Sequence, residues 1–229
     1  MAGESIRAAW AERFGRSEPK VVCVGLNYGE HASEQGAAAP DEPLLFAKTA
    51  SALCGPDEPI LLPPEADHVD AEAELVVVIG QTARRISKAS ALEAVAGYTC
   101  ANDVSARNLQ FGDGQWFRGK SFDTFCPLLP DVVPRAELGD ASGLRVVQRL
   151  NGAVLQDGNT SDLIFGVPHL VAHVSNVLTL EPGDLILTGT PSGVGFVRKP
   201  PVALQEGDVV EVEVEGIGVL RNPVVAEGA

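Results

Sequence analysis

Three acids alternate with apolar residues along positions 69–79, namely Asp70, Glu72 and Glu74. In an extended strand alternate residues share a face and lie about 6.6 Å apart. The Glu72 and Glu74 carboxylates could therefore converge on one cation, whereas a helix would point them apart. Oxygen donors of this kind suit a hard divalent metal. The same alternation also fits a strand whose solvent face is simply acidic.

Asp103, Arg107 and Gln110 follow at spacings of four and three. On a helix they would form one stripe offering a carboxylate to a metal, a guanidinium to an anion and an orienting amide. An exposed helix face held by an ion pair would look alike. His31 and Glu34 are three apart, so a helical Glu could hold the imidazole and raise its basicity, or the two could be an ordinary surface pair. Lys120 lies in Trp116-Phe117-Arg118-Gly119-Lys120-Ser121-Phe122, where aromatic neighbours could keep an ammonium partly dry and ready to meet an oxyanion; otherwise it is a solvated loop lysine. Residues 114–121 match the phosphate-cradling pattern Gly-x-x-x-x-Gly-Lys-Ser. That pattern needs a strand before it and a helix after it, but Phe111-Gly112-Asp113 precedes and Pro127 soon follows, so the match is rejected. The run Gly189-Thr190-Pro191-Ser192-Gly193-Val194-Gly195 offers N–H groups and two hydroxyls to a carboxylate, or is a glycine-rich turn. His169 and His173 have a metal-compatible spacing but lack the inner Glu of His-Glu-x-x-His, and read as core or boundary histidines.

The elements that must position these residues are strand-rich. Residues 21–26 read as a buried strand, followed by a short helix at 30–35 and a small, Pro-bearing loop at 36–43 that would suit a lid. Ser90 to Glu93 resembles a capping box opening a helix that stops at Gly97, and 98–101 is strand-like. Residues 144–156 predict a hairpin around Asn151-Gly152. A helix over 168–178, a strand over 185–188 and another over 209–214 complete the pattern. The fold class expected is α+β and β-rich, with an N-terminal lead segment at 1–20 and one catalytic domain at 21–225.

The chain has 229 residues and a formal net charge of -14, which disfavours nucleic acid and leaves an anionic substrate to be drawn by local cations or a metal. No apolar run reaches the ~18 residues that span a bilayer and no signal-peptide core opens the chain, so a cytoplasmic protein without membrane contact is expected. Cys23, Cys54, Cys100 and Cys126 form no Cys-x-x-Cys pair, and reduced, buried thiols are expected.

In chain order, Asn27-Tyr28-Gly29-Glu30-His31-Ala32-Ser33-Glu34, Glu72-x-Glu74-Leu75, Asn102-Asp103-Val104-Ser105-Ala106-Arg107, Gly119-Lys120-Ser121-Phe122 and Leu187-Thr188-Gly189-Thr190-Pro191 resemble the fumarylacetoacetate hydrolase family over about residues 20–223. The resemblance implies rolled mixed β-sheets with a few peripheral helices, a homodimer, and Mg2+ or Mn2+ held by Glu72, Glu74 and Asp103. It makes His31 and Glu34 a water-activating dyad and Lys120 the oxyanion-stabilising lysine. Arg107, Gln110 and Thr190, with Gly189 beside it, become substrate contacts. The extra N-terminal domain of the long fumarylacetoacetases is not seen, which points to the short subgroup. The activity expected first is hydrolysis of a carbon–carbon bond in a 2,4-dioxo acid of the acylpyruvate or fumarylpyruvate type, the metal chelating the 2-oxo acid. The alternatives are isomerisation of 2-hydroxyhepta-2,4-diene-1,7-dioate, as in aromatic compound catabolism, and decarboxylation of oxaloacetate.

Overall fold

The computed structural model describes residues 4–228. Its centre is the Ala73–Ile79 strand, buried at every position, as suits a β-branched run covered on both faces. Leu75, Val77 and Ile79 face one core shared with Leu170, Val171 and Val174 of the Val167–Val177 helix and with Val146, Val212 and Val214. Val76 and Val78 face a second core with Ile6, Trp10, Cys23 and Leu187. The Glu4–Phe14 helix is fastened there by Trp10, whose indole N–H donates to the Gly183 carbonyl at 2.8 Å.

The expected β-rich mixed architecture is present. One sheet runs in the order Val133–Pro134, Val95–Asn102, Ala73–Ile79, Leu185–Leu187, Val21–Gly25, Leu44–Lys48, with a parallel pairing between Val21–Gly25 and Leu185–Leu187. The other runs Ala153–Asn159, Arg145–Leu150, Val209–Val214, Gly218–Ala226, Ile60–Leu62. The predicted hairpin is its outer pair, and Asn151 and Gly152 take the positive φ values, 52° and 81°, that a two-residue turn of this hand requires. The helix predicted at 168–178 is observed at Val167–Val177 with Pro in its first turn, and His169 and His173 sit half-buried on it.

Three local expectations are corrected. Residues 69–79 are not one strand: Val69–Asp70 pairs with Ser105–Ala106, and Ala71 and Glu72 form the step into Ala73–Ile79. At the step the Asp70 carboxylate accepts the Ala71, Gly195 and Phe196 N–H groups. The helix opened by Ser90 is instead a 3-10 segment, Lys88–Ala94, capped by Ser87. Gly97 does not stop it; Gly97 already lies within the Val95–Asn102 strand, where a Cβ would come within 2.1 Å of the Val133 carbonyl oxygen. Finally, Asp103 lies outside the helix, which spans Arg107–Gly112.

No strand precedes residues 114–121, since the Arg107–Gly112 helix leads into them and Phe117–Lys120 is itself a helical turn, in keeping with rejection of a phosphate loop. All four cysteines are free and buried. Burial pushes the Cys100 and Cys126 thiols up to about 12, so they are inert packing groups.

Candidate active site

Strand register brings the acids together. Ala73 pairs with Asn102 and Glu74 with Ala101, so the residue after the Val95–Asn102 strand emerges beside Glu72. Two further bonds fix that crossing: the Asp103 N–H donates to the Glu72 carbonyl at 2.9 Å, and the Glu72 N–H to Asn102 Oδ1 at 2.9 Å. Glu72, Glu74 and Asp103 each present an oxygen within 4.8 Å of the others, and all three are buried. An all-oxygen, all-carboxylate set at this spacing fits a hard divalent cation.

Buried cations interleave these acids. Lys120 Nζ donates to Glu72 Oε2 and Asp103 Oδ2, both at 2.7 Å, and lies 5.2 Å from the Phe46 ring centre. Lys48 Nζ pairs with Asp103 Oδ1 at 2.6 Å and donates to the carbonyls of Val104 and Lys120. Arg107 spans Asp70 at 2.8 Å and Glu72 at 2.7 Å, and its Nη1 donates to Gln110 Oε1 at 3.0 Å. Burial would raise the Glu72 pKa, but the Lys120 and Arg107 charges prevail and hold it below the usual carboxylate range. Burial likewise opposes the charged Lys120, yet Asp103 and Glu72 hold its pKa above the ordinary lysine value. Glu74 has no such partner. Burial, then Asp103 and Glu72, push its carboxyl well above the usual range. Four buried acids, Asp70, Glu72, Glu74 and Asp103, meet three buried cations, Lys48, Arg107 and Lys120. Counted as fully ionised these groups leave one negative charge unmatched, and the raised Glu74 pKa marks it as the carboxyl that holds its proton most readily.

The glycine-rich loop, expected to hold a substrate carboxylate, binds the protein's own acids instead. Leu187 pairs antiparallel with Val76, so continuing that register sets Gly189 opposite Glu74, and the Gly189 N–H donates to Glu74 Oε2 at 2.7 Å. The Gly193 N–H donates to Glu34 Oε2 at 2.9 Å, and the Gly195 and Phe196 N–H groups to Asp70. Thr190 donates its hydroxyl to the Ala73 carbonyl at 2.9 Å and accepts from Gln156 Nε2 at 2.8 Å. Gly189 is thus committed to Glu74, while Thr190 lines the cleft.

On the Gly29–Glu34 helix, His31 Nδ1 lies 2.8 Å from Glu34 Oε1, so the predicted dyad is formed. His31 shares a tight, polar cleft with Glu72, Glu74, Asp103, Arg107, Gln110, Lys120 and Thr190. Every predicted site residue reaches this wall or, as Glu34 does for His31 and Gly189 for Glu74, supports a residue that does. Sequence reasoning missed Lys48, Gln35 and Phe46. Phe46 and Lys48 lie on the Leu44–Lys48 strand, where nothing in local spacing marks a cation as buried. Asp70 was legible as the third acid of the alternation, but its use as the anchor of Arg107 was not.

Residues 20–225 match the family Fumarylacetoacetate (FAA) hydrolase C-terminal. The chain is 50% identical over 208 residues to oxaloacetate tautomerase FAHD2A, mitochondrial, of Bos taurus, covering 90% of this chain and 66% of that protein; it spans about two thirds of the length of the curated relatives it matches. The structure of a 5-carboxymethyl-2-hydroxymuconate delta-isomerase from Mycobacterium smegmatis superposes with a TM-score of 0.82 at 47% identity, covering 92% of this chain and 80% of that one. A 2-hydroxyhepta-2,4-diene-1,7-dioate isomerase from Mycobacterium marinum gives 0.81 at 45% identity, covering 92% and 75%. With its carboxylate cluster, its histidine dyad and this similarity in hand, the chain belongs to the fumarylacetoacetate (FAA) hydrolase C-terminal family.

Proposed function

We propose that the protein interconverts the enol and keto forms of a metal-chelated 2-oxo diacid, of the oxaloacetate or 2-hydroxy-diene-dioate class, by moving one proton between oxygen and carbon. The observation that carries this is the placement of the His31–Glu34 dyad in the same cleft as Glu72, Glu74 and Asp103. The printed activities of the relatives, a tautomerase and two isomerases, support the enol chemistry over the hydrolysis that the sequence suggested first.

Magnesium or manganese, held by Glu72, Glu74 and Asp103, would supply positive charge that favours an enolate over its neutral form. With Glu74 ionised against that ion, four negative charges (Asp70, Glu72, Glu74, Asp103) would face five positive ones (Lys48, Arg107, Lys120 and the divalent ion), and the one positive in excess would draw an anion into a chain of net charge -14. His31 does the proton transfer. Glu34 accepts from Nδ1–H, leaving the Nε2 lone pair as the base. Nε2 takes the enol O–H proton and returns it to the adjacent carbon; an O–H bond breaks, a C–H bond forms and the imidazole ends neutral. Glu34, itself held by the Gly193 N–H, stabilises the transient imidazolium. Lys120 meets charge on the substrate oxygen. Arg107 turns the Gln110 carboxamide by binding its oxygen, which leaves the Gln110 NH2 group as a donor to substrate.

The test is product analysis on oxaloacetate, a 2-hydroxy-diene-dioate and acetylpyruvate, with and without added magnesium. Metal-dependent acceleration of enol-to-keto conversion is expected, with at least a ~100-fold loss in His31→Ala. Stoichiometric cleavage of acetylpyruvate to acetate and pyruvate, with no acceleration of tautomerisation, would replace this reading by hydrolysis. Carbon dioxide release from oxaloacetate as the primary product would favour decarboxylation.

A further inference from the structure

His31 has a second partner that the proton-transfer scheme does not use. Gln35, at the C-terminal end of the Gly29–Glu34 helix, places its Nε2 at 2.9 Å from His31 Nε2. The chemistry of the neighbours fixes the sense of this bond. Nδ1 faces the Glu34 carboxylate and so carries the proton. Nε2 of the neutral ring then holds a lone pair, and the group that can satisfy it is the NH2 end of the Gln35 carboxamide. The bond occupies the very lone pair that must accept the substrate proton. It is also held in place: the helix is clasped to the 192–193 turn by Glu30 Oε2, which accepts from Ser192 Oγ at 3.2 Å, and by Glu34, which accepts the Gly193 N–H at 2.9 Å.

A substrate must therefore offer Gln35 something better than an imidazole nitrogen. An ionised acceptor does so, because a hydrogen bond to a carboxylate is roughly twice as strong as a neutral one. Arg107 is already engaged by Asp70 and Glu72, and Lys120 by Glu72 and Asp103, which leaves Gln35 as a donor of the cleft wall whose present acceptor is uncharged. Gln35 lines the same cleft as these groups and is half-buried, so it has room to turn.

We propose that Gln35 determines specificity: its carboxamide covers the His31 base until the second carboxylate of a 2-oxo diacid, at the end remote from the metal-binding 2-oxo acid, takes the same N–H donor and uncovers Nε2. This rests on the tautomerase reading and names the feature that would make the enzyme select diacids over monoacids.

The matched pair of probes is oxaloacetate and 2-oxobutanoate, which differ by a carboxylate in place of a methyl group. Enzyme-dependent exchange of the C3 proton with heavy water is measured for both, in magnesium, with the full chain and with Gln35→Met, a side chain of similar length without a donor. The ratio of kcat/KM for diacid over monoacid should fall at least about tenfold in Gln35→Met, through a higher KM for oxaloacetate and a higher kcat for 2-oxobutanoate. Gln35→Glu, which repels the second carboxylate, should lower the ratio further. A ratio unchanged within about twofold in both variants overturns the proposal. Should Gln35→Met fail to fold, Gln35→Glu alone decides by the same criterion. If the unmodified chain exchanges neither substrate, the tautomerase reading fails, and calorimetric affinities for the same two acids then judge Gln35: the diacid preference must shrink on substitution, and an unchanged preference overturns it.

Discussion

Lys48 shows what a single buried charge does in this site. Its ammonium is the partner of Asp103 Oδ1 and also ties down the Lys120 carbonyl, so it fixes both an expected metal ligand and the lysine beside it. Removing one member of a buried pair strands the other, at a cost of about 3–5 kcal/mol. Lys48→Met is expected to lose that much in urea denaturation with chelator present, and a loss under about 1 kcal/mol would show that Asp103 does not depend on it. Glu72 makes the corresponding pH prediction. Its pKa is lower in the folded protein than the ordinary 4.5, so its contribution to stability is complete above pH 4.5 and disappears as pH falls through the folded value. Glu72→Gln should be less stable than the parent near neutrality, and the gap should close on acidification below 4.5. A gap that widens toward acid would contradict the assigned sign.

The 189–196 loop is the element on which the site's geometry depends. Its N–H groups hold Glu74, Glu34 and Asp70, three acids from three separate segments, and its start is set by the antiparallel register of Leu187 with Val76. Gly189 is needed because its φ is +99° and a Cβ would stand 2.9 Å from Asn27 Cβ and 3.2 Å from the Val24 carbonyl. Gly189→Ala should lower stability by about 1–3 kcal/mol and weaken metal affinity more than Thr190→Ser does, as read by calorimetric magnesium titration. Equal affinities in the two variants would remove the loop from the account of the metal ligands.

Across the whole molecule, a buried cluster in which Glu74 lacks a cation of its own predicts that stability and metal binding are linked. Magnesium or manganese at about 100 times its dissociation constant should add roughly 2.7 kcal/mol to unfolding, seen as a rise in melting temperature that a chelator reverses and that Glu74→Gln diminishes. A melting temperature indifferent to both metals would undo the assignment of Glu72, Glu74 and Asp103 as ligands. The homodimer implied by the family resemblance should scatter light as a particle of about 48 kDa, twice the 24.0 kDa chain; a 24 kDa particle at micromolar concentration would exclude it.

Spacing alone was enough for whatever is local. The His31–Glu34 interval and the Asn151-Gly152 turn each report on chain within a few residues, where helix and turn geometry dictate direction; the alternation named the right acids, but Glu72 sits in a step outside the strand, fixed by Asn102 and Asp103. The resemblance in motif order supplied the grouping of Glu72 and Glu74 with Asp103, but not the path: Asp103 arrives from a strand end rather than a helix stripe. Tertiary structure alone decided which charges are buried together. Lys48 on an outer strand, Asp70 under Arg107, the glycine loop turned onto the protein's own carboxylates and Gln35 over the His31 lone pair all arise from segments far apart in sequence or from a helix-end rotamer. Burial and pairing of charge are properties of packed neighbours, and no interval along the chain encodes them.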